Sequence, residues 1–172
     1  MMSNTVETKT FVKFFFVWSE DKEAIWLREM ANKGWHLVRA SVFNYTFRKG
    51  EPADYVYQFD FRLKAYKDET EYLEIFTDAG WEYINRVFGW YYFRKKYREG
   101  EQNEIYSDKE SLIQKYKKLL FFMILCLLPL IYSMLSMVLT SERFIFSRAV
   151  LYFDLAILLL WGYAFIRVIR YV

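Results

Sequence analysis

The chain repeats itself. Gly34-Trp35-His36-Leu37-Val38, running on to Tyr45-Thr46-Phe47-Arg48-Lys49, returns as Gly80-Trp81-Glu82-Tyr83-Ile84 through Tyr91-Tyr92-Phe93-Arg94-Lys95. The offset is 46 residues, without a gap. Between 23–49 and 69–95, eight of 27 positions are identical: Glu23/Glu69, Leu27/Leu73, Gly34/Gly80, Trp35/Trp81, Tyr45/Tyr91, Phe47/Phe93, Arg48/Arg94 and Lys49/Lys95. Such a repeat restricts the fold more than composition does, because each copy must build the same local unit.

The local pattern says what that unit is. Phe11–Trp18 is apolar on both parities, which predicts a strand covered on both faces. Ser19 is placed to cap a helix, with Glu20, Asp21 and Glu23 in its first turn, where the helix dipole favours carboxylates. Trp26, Leu27, Met30 and Ala31 recur at helical spacing and form its buried stripe. Gly34 falls where a helix C-terminus needs positive φ. Trp35–Val42 and Tyr45–Lys49 then read as a hairpin turning near Phe43-Asn44.

Glu51-Pro52-Ala53-Asp54 breaks the pattern and separates the copies. Tyr55–Leu63 alternates, with Gln58, Asp60 and Arg62 on the second face, which predicts a half-buried strand with one polar side. Asp68 and Glu71 resemble a capping box. Tyr72, Leu73, Phe76 and Ala79 form the second helical stripe, Gly80 ends it, and a second hairpin follows. Glu104-Ile105-Tyr106 reads as a short edge strand.

Each copy is therefore strand–helix–strand–strand. Two copies, about 9–50 and 54–106 within a domain of residues 1–110, predict an α+β fold: one antiparallel sheet with both helices on one face. A ferredoxin-like split arrangement uses the same elements and is the structural alternative. The order resembles the tandem modules of gyrase-inhibitor-like ligand-binding proteins, which implies a cleft for amphipathic ligands.

The rest of the chain has a different composition. Residues 119–140 and 149–169 predict two transmembrane helices, joined by a short outer loop at 141–148 and preceded by a basic juxtamembrane linker at 111–118. Leu119–Leu139 carries no charge, and Pro129 in its middle predicts a kink. Residues 1–110 hold 17 Lys/Arg and 19 Asp/Glu, while 111–172 hold 7 and 2, so the basic excess belongs to the helices and their flanks. Lys115, Lys117, Lys118, Arg167 and Arg170 lie on the domain side, against Arg143 and Arg148 in the loop. That bias predicts a multi-pass cell-membrane protein with its domain and both termini cytoplasmic. Two very apolar core helices of a soluble protein are the alternative. No signal peptide is expected, because residues 1–10 are polar and Lys13 breaks the next apolar run.

Catalytic chemistry finds little support. His36 is the one histidine and Cys126 the one cysteine, the latter inside an apolar run, so neither a metal site nor an intramolecular disulfide is expected. No nucleophile elbow or phosphate-cradling glycine loop occurs. The carboxylates cluster in first turns of helices, where capping accounts for them. No cofactor, no catalytic residue and no nucleic-acid partner is expected, the domain holding more Asp/Glu than Lys/Arg.

Aromatic residues dominate instead: 17 Phe, 15 Tyr and 6 Trp. A domain of this size has trouble burying so many rings, and rings left exposed mark a cleft, a partner surface or a bilayer. Trp18, Trp35, Tyr45, Trp81 and Tyr91 are the candidate walls of a cleft shared by the copies, with Glu82 and Asp60 as carboxylates for a cationic ligand. Trp35 with Trp81, and Tyr45 with Tyr91, are expected to meet about a common axis. Arg94, Lys95, Lys96 and Arg98, with Lys115, Lys117 and Lys118, predict a basic face toward anionic lipid headgroups. Asp154, a carboxylate shallow in the second span, is expected to snorkel outward or to bond Ser133 or Ser136 of the first.

Lys13-Phe14-Phe15-Phe16, Trp26-Leu27-Arg28-Glu29-Met30-Ala31 with Lys33-Gly34-Trp35, Tyr45-Thr46-Phe47 and Tyr92-Phe93-Arg94-Lys95-Lys96 together resemble the bacterial family catalogued as domain of unknown function 2812, over about residues 9–108. That resemblance implies a C-terminal membrane anchor and a gene context beside PadR-like repressors. The expected function is a membrane-tethered, non-enzymatic sensor or regulator whose domain binds an amphipathic small molecule or a regulatory protein, linked to envelope stress. The alternative is a structural or immunity-type membrane protein acting through its helical hairpin.

Overall fold

A computed structural model describes residues 7–62, 69–106, 109–139 and 145–170. The chain divides into two units, Met1–Ser111 and Leu112–Val172.

In the first unit, each copy of the repeat folds as strand, helix, strand, strand. The first copy comprises β1 (Thr8–Val12), α1 (Glu20–Asn32), β2 (Trp35–Ala40) and β3 (Asn44–Lys49). The second comprises β4 (Tyr55–Phe61), α2 (Glu69–Asp78), β5 (Glu82–Val87) and β6 (Trp90–Lys96). All pairing is antiparallel, and the unit is α+β as expected. The six strands divide into two three-stranded sheets, ordered β1-β3-β2 and β4-β6-β5.

The repeat is preserved down to its irregularities. β2 bulges between Leu37 and Arg39, and β5 bulges between Tyr83 and Asn85, which are the same positions 46 residues apart. An extra residue at each bulge twists its strand and interrupts the ladder. Gly34 and Gly80 end the two helices at φ 77° and 82°. Each following backbone turns from helix into sheet through a conformation that a Cβ disfavours.

The sheets join along β2 and β5. Ala40 N donates to Asn85 Oδ1 at 2.8 Å, and Asn85 Nδ2 donates to Ala40 O at 2.9 Å. One side-chain amide thus stands in for a neighbouring backbone. Arg94, opposite Glu82, reaches Leu37 O at 3.3 Å. Leu37 therefore lies level with Glu82 and Ala40 level with Asn85, so the two strands run in the same direction.

The core is built in two layers. Leu27, Met30 and Ala31 of α1 pack with Leu37, Ala40, Tyr45 and Phe47 of the first sheet, and with Tyr57, Phe59 and Tyr92 of the second. Trp81, Tyr91 and Phe93 pack on the other side of the second sheet with Tyr72, Leu73 and Phe76 of α2. The second sheet is thus covered on both faces. At about 25 cal/mol per Å² of apolar surface, each buried ring of this size is a large favourable contribution.

Several expected elements shift. The first strand is Thr8–Val12, not Phe11–Trp18. Residues 13–16 are irregular, Val17–Ser19 form a 3-10 turn, and Val12, Phe14 and Phe16 are exposed. Ser19 occupies the N-cap position of α1 without a side-chain capping bond. Asp60 is buried rather than on a polar face, because α2 covers that side. Residues 104–106 run as an irregular segment, not a strand. The expected cap at Asp68 and the end of the alternation at Leu63 lie outside the described residues.

The second unit is an antiparallel helix pair. α3 (Lys109–Leu139) includes the basic residues 111–118 and carries through Pro129 without ending. α4 (Ile145–Ile169) follows. Ser133 Oγ donates to Asp154 Oδ2 at 2.9 Å, and Trp161 Nε1 donates to Met123 O at 3.1 Å. These bonds fix the register of the two helices, around buried Leu119, Met123, Ala164 and Val168. Both helices are long and apolar enough to cross a membrane. Their outward Leu, Ile and Phe side chains stay exposed within the chain, unlike those of a soluble core helix.

Candidate functional site

The identical residues of the repeat explain one another. Tyr45 Oη donates to Glu23 Oε1 at 2.7 Å, and Tyr91 Oη donates to Glu69 Oε1 at 2.8 Å. Each pair ties the first turn of a helix to the third strand of its copy. Lys49 Nζ donates to Lys33 O at 2.9 Å, and Lys95 Nζ to Ala79 O at 3.2 Å. Each lysine satisfies a carbonyl at a helix C-terminus, where the dipole favours a cation. Glu23 also accepts from Tyr92 at 2.8 Å, which joins the first helix to the second sheet. Burial holds the Glu23 carboxyl above its ordinary range, opposed by the two tyrosine hydrogen bonds. Burial, reinforced by Glu69, pushes the Tyr91 hydroxyl up to about 12.

The expected cleft between the copies does not form from the expected residues. Trp35 and Tyr45 pack with the first core cluster, and Trp81 and Tyr91 with the second, so neither pair meets. Trp35 is half-buried, with Phe11 at its edge and Lys49 4.8 Å from its ring. Trp18 stacks on Phe16 with centroids 4.6 Å apart. Glu82 is occupied by Arg94, through a two-pronged pair at 2.6 and 2.8 Å. Burial opposes the charge on Arg94, but this pairing outweighs it. Asp60 accepts hydrogen bonds from Tyr72 at 2.6 Å and from Tyr106.

The expected basic face is likewise divided. Arg94 is turned into the sheet junction, and Lys95 joins Ala79, Gln102 and Glu101. Arg98 pairs with Glu101 at 3.1 Å. Lys96 is exposed. In the second unit Lys115 is buried, 5.2 Å from the Tyr116 ring, while Lys117 and Lys118 are exposed.

A groove opens elsewhere. Ile75, Phe76, Ala79 and Trp81 form one wall, and Gln102, Glu104, Ile105 and Tyr106 form the other, with Lys95 and Ser111 completing it. Its volume is about 510 Å³, within the range of small-molecule sites. The second wall is a strap, residues 97–106, that crosses the flank of α2. Tyr97 N donates to Asp54 O at 2.9 Å, and Arg28, bonded to Asp54 at 2.6 Å, stands 4.7 Å from the Tyr97 ring. Lys95 holds the middle of the strap at Glu101 and Gln102, and the Tyr106–Asp60 bond holds the far end. Burial first, and then the facing Asp60 carboxylate, keep the Tyr72 and Tyr106 hydroxyls protonated well above the ordinary tyrosine value. Among the described residues, no group of His, Cys, Asp and Glu is arranged to hold a metal ion.

The groove thus has aromatic and aliphatic walls, one amine and one exposed carboxylate, Glu104. Sequence reasoning placed Phe76 and Ala79 in the buried stripe of a helix and missed the strap. The Lys49/Lys95 identity was the available signal: a lysine kept in both copies at the same helix end.

The model of a family described as protein of unknown function, DUF2812, matches residues 19–128. The chain belongs to the DUF2812 family. The match takes in both helices of the repeat, strands β2 to β6, the strap and the first part of α3, and leaves β1 outside. No curated protein and no solved structure matches the chain. The DUF2812 region therefore includes the whole groove, from Ile75 to Ser111.

Proposed function

We propose that this DUF2812 protein is a membrane-tethered, non-enzymatic sensor. Its domain binds an amphipathic small molecule in the groove between α2 and the strap. The observation that carries the reading is the identity of the second wall: the strap ends at Tyr106, three residues before α3 begins at Lys109. A ligand that changes the strap therefore acts on the chain leading into the first membrane helix.

Chemistry supports this ligand class. Trp81, Phe76 and Ile105 offer apolar contact, and Glu104 with Lys95 offers polar ends. Lys95 is already engaged by Glu101 and two carbonyls, which leaves Glu104 as the better partner for a cationic headgroup. The charge bias around the helices supports a cytoplasmic domain and cytoplasmic termini. The regulatory output, a PadR-like repressor responding to envelope stress, is part of the same proposal.

The test is native mass spectrometry of the full chain released from native membranes. The parent should carry a bound small molecule, and Ala79→Phe, whose ring fills the groove, should not. Equal occupancy of both chains, or none in either, would return the function to the helical hairpin.

A further inference from the structure

One aromatic stretch is not used by the groove. β1 ends at Val12, and Lys13 N donates to Phe43 O at 2.9 Å, which holds residues 13–18 beside the loop between β2 and β3. Phe15 turns inward onto Trp26 and Tyr45 at 5.6 and 6.1 Å. Phe43, Phe14, Phe16 and Trp18 instead form a continuous row, with successive centroids 5.4, 4.8 and 4.6 Å apart. Val12 is 82% exposed, Phe43 57%, Phe14 47% and Phe16 41%. No charged residue interrupts Phe14–Trp18. Soluble surfaces rarely carry a contiguous apolar row of this kind without a use for it.

The second hairpin repeats the feature. Phe88 lies in the turn between β5 and β6 and is 81% exposed. Its φ is 46°, a left-handed conformation that costs a non-glycine residue about 1–2 kcal/mol. An exposed ring in water returns nothing for that strain. Because β2 and β5 run in the same direction, both hairpin turns point to one end of the domain.

The chain leaves the domain at that same end. Tyr106 is bonded to Asp60, which pairs across the sheet with Tyr91, next to the Phe88-Gly89 turn. The Glu20 carboxylate, at the start of α1 beside the aromatic row, is also close enough to act on the Tyr106 hydroxyl.

We infer that this aromatic end docks on the lipid bilayer that α3 and α4 enter. Phe14, Phe16, Trp18, Phe43 and Phe88 would sit at the boundary between headgroups and acyl chains. The inference rests on the membrane tether proposed above and is independent of the groove. Three features favour lipid over a protein. The row is a ridge with two projecting turns rather than a shaped pocket. Aromatic side chains favour the membrane interface. The twelve residues 107–118 between the strap and the first expected span also hold the domain at high effective concentration beside the bilayer. Docking is by apolar insertion, because Lys13 is stacked on Phe15 and Trp26, and Glu20 and Asp21 follow the row.

The experiment uses the full chain in phosphatidylcholine nanodiscs, with and without lipid brominated on the acyl chain near the headgroup. Emission lost on Trp161→Phe reports insertion of α4, and emission lost on Trp18→Phe reports docking. The expected result is that brominated lipid quenches most of both components. The Trp18 component should escape quenching in Phe14→Ser/Phe43→Ser, whose exposed positions leave the fold intact. Quenching of Trp161 without Trp18 overturns the docking and leaves the tether standing. Quenching of neither overturns both. A Trp18 shielded from aqueous acrylamide but untouched by brominated lipid would assign the row to a protein and overturn the inference. Trp18 quenching unchanged in the double variant would do the same.

Discussion

Tyr45 donates its hydroxyl to Glu23 at 2.7 Å, across a helix–strand contact that Tyr91 and Glu69 repeat at 2.8 Å in the second copy. The two pairs differ in surroundings. Glu23 is buried and takes a second tyrosine from the other sheet, whereas Glu69 stays partly exposed and also lies 3.9 Å from Arg86.

That difference makes the duplicated pairs unequal under mutation. Tyr45→Phe should cost about 1–3 kcal/mol, because it removes a donor from a buried carboxylate. Tyr91→Phe should cost less, since water and Arg86 remain available to Glu69. Urea unfolding of the full chain in detergent micelles, followed by far-UV circular dichroism, measures both. Equal losses would contradict the asymmetry.

Glu23 also sets a pH dependence. Its folded pKa lies above the ordinary 4.5, with burial the main cause, so the folded state binds its proton more tightly than the unfolded state does. The resulting stabilisation is fully present below pH 4.5 and is lost as pH rises through the folded value. Glu23→Gln should remove this contribution. The difference in stability between Glu23→Gln and parent should therefore grow in favour of the variant as pH rises from 4 toward neutrality. A difference that does not change with pH would contradict the raised pKa.

The two helix-ending glycines are unequal as well. A Cβ on Gly34 would meet Gly50 O at 2.5 Å, while on Gly80 the nearest atom is Lys95 Cε at 3.4 Å, the end of a flexible side chain. Both substitutions carry the strain of positive φ, about 1–2 kcal/mol. Gly34→Ala should cost clearly more than Gly80→Ala in the same urea measurement. The reverse order would misplace the Gly34–Gly50 contact.

Much of this scaffold was legible in the repeat. Glu23/Glu69 with Tyr45/Tyr91, Gly34/Gly80 and Lys49/Lys95 are identities in register, and each proves to be one device used twice. Asp154 with Ser133 followed from the cost of a carboxylate among apolar side chains. Other features depend on partners far along the chain. Asp60 reads as a polar-face residue until Tyr106, 46 positions later, closes over it. The division into two sheets turns on one amide, Asn85, whose counterpart in the first copy is Arg39. Phe11–Trp18 has the composition of a buried strand, but pairing with β3 ends at Val12, after which Phe15 turns inward while Phe14 and Phe16 lie at the surface. Arg94 could have been paired with Glu82 from hairpin register alone, since the two stand opposite each other.

Membrane topology has its own check. A cysteine introduced at Ser141, in a Cys126→Ser background, should react with an impermeant thiol reagent in intact cells, and one at Asn103 should not. The reverse pattern would invert the proposed orientation.

The most direct measurement is the emission of Trp81 in the full chain, taken as parent minus Trp81→Phe, during titration with an alkyltrimethylammonium probe below its micellar concentration. A ligand groove at Trp81 gives a saturable change that is absent in Ala79→Phe and weakened in Glu104→Gln. A drift that never saturates, and is the same in Ala79→Phe as in the parent, would contradict a ligand groove at Trp81.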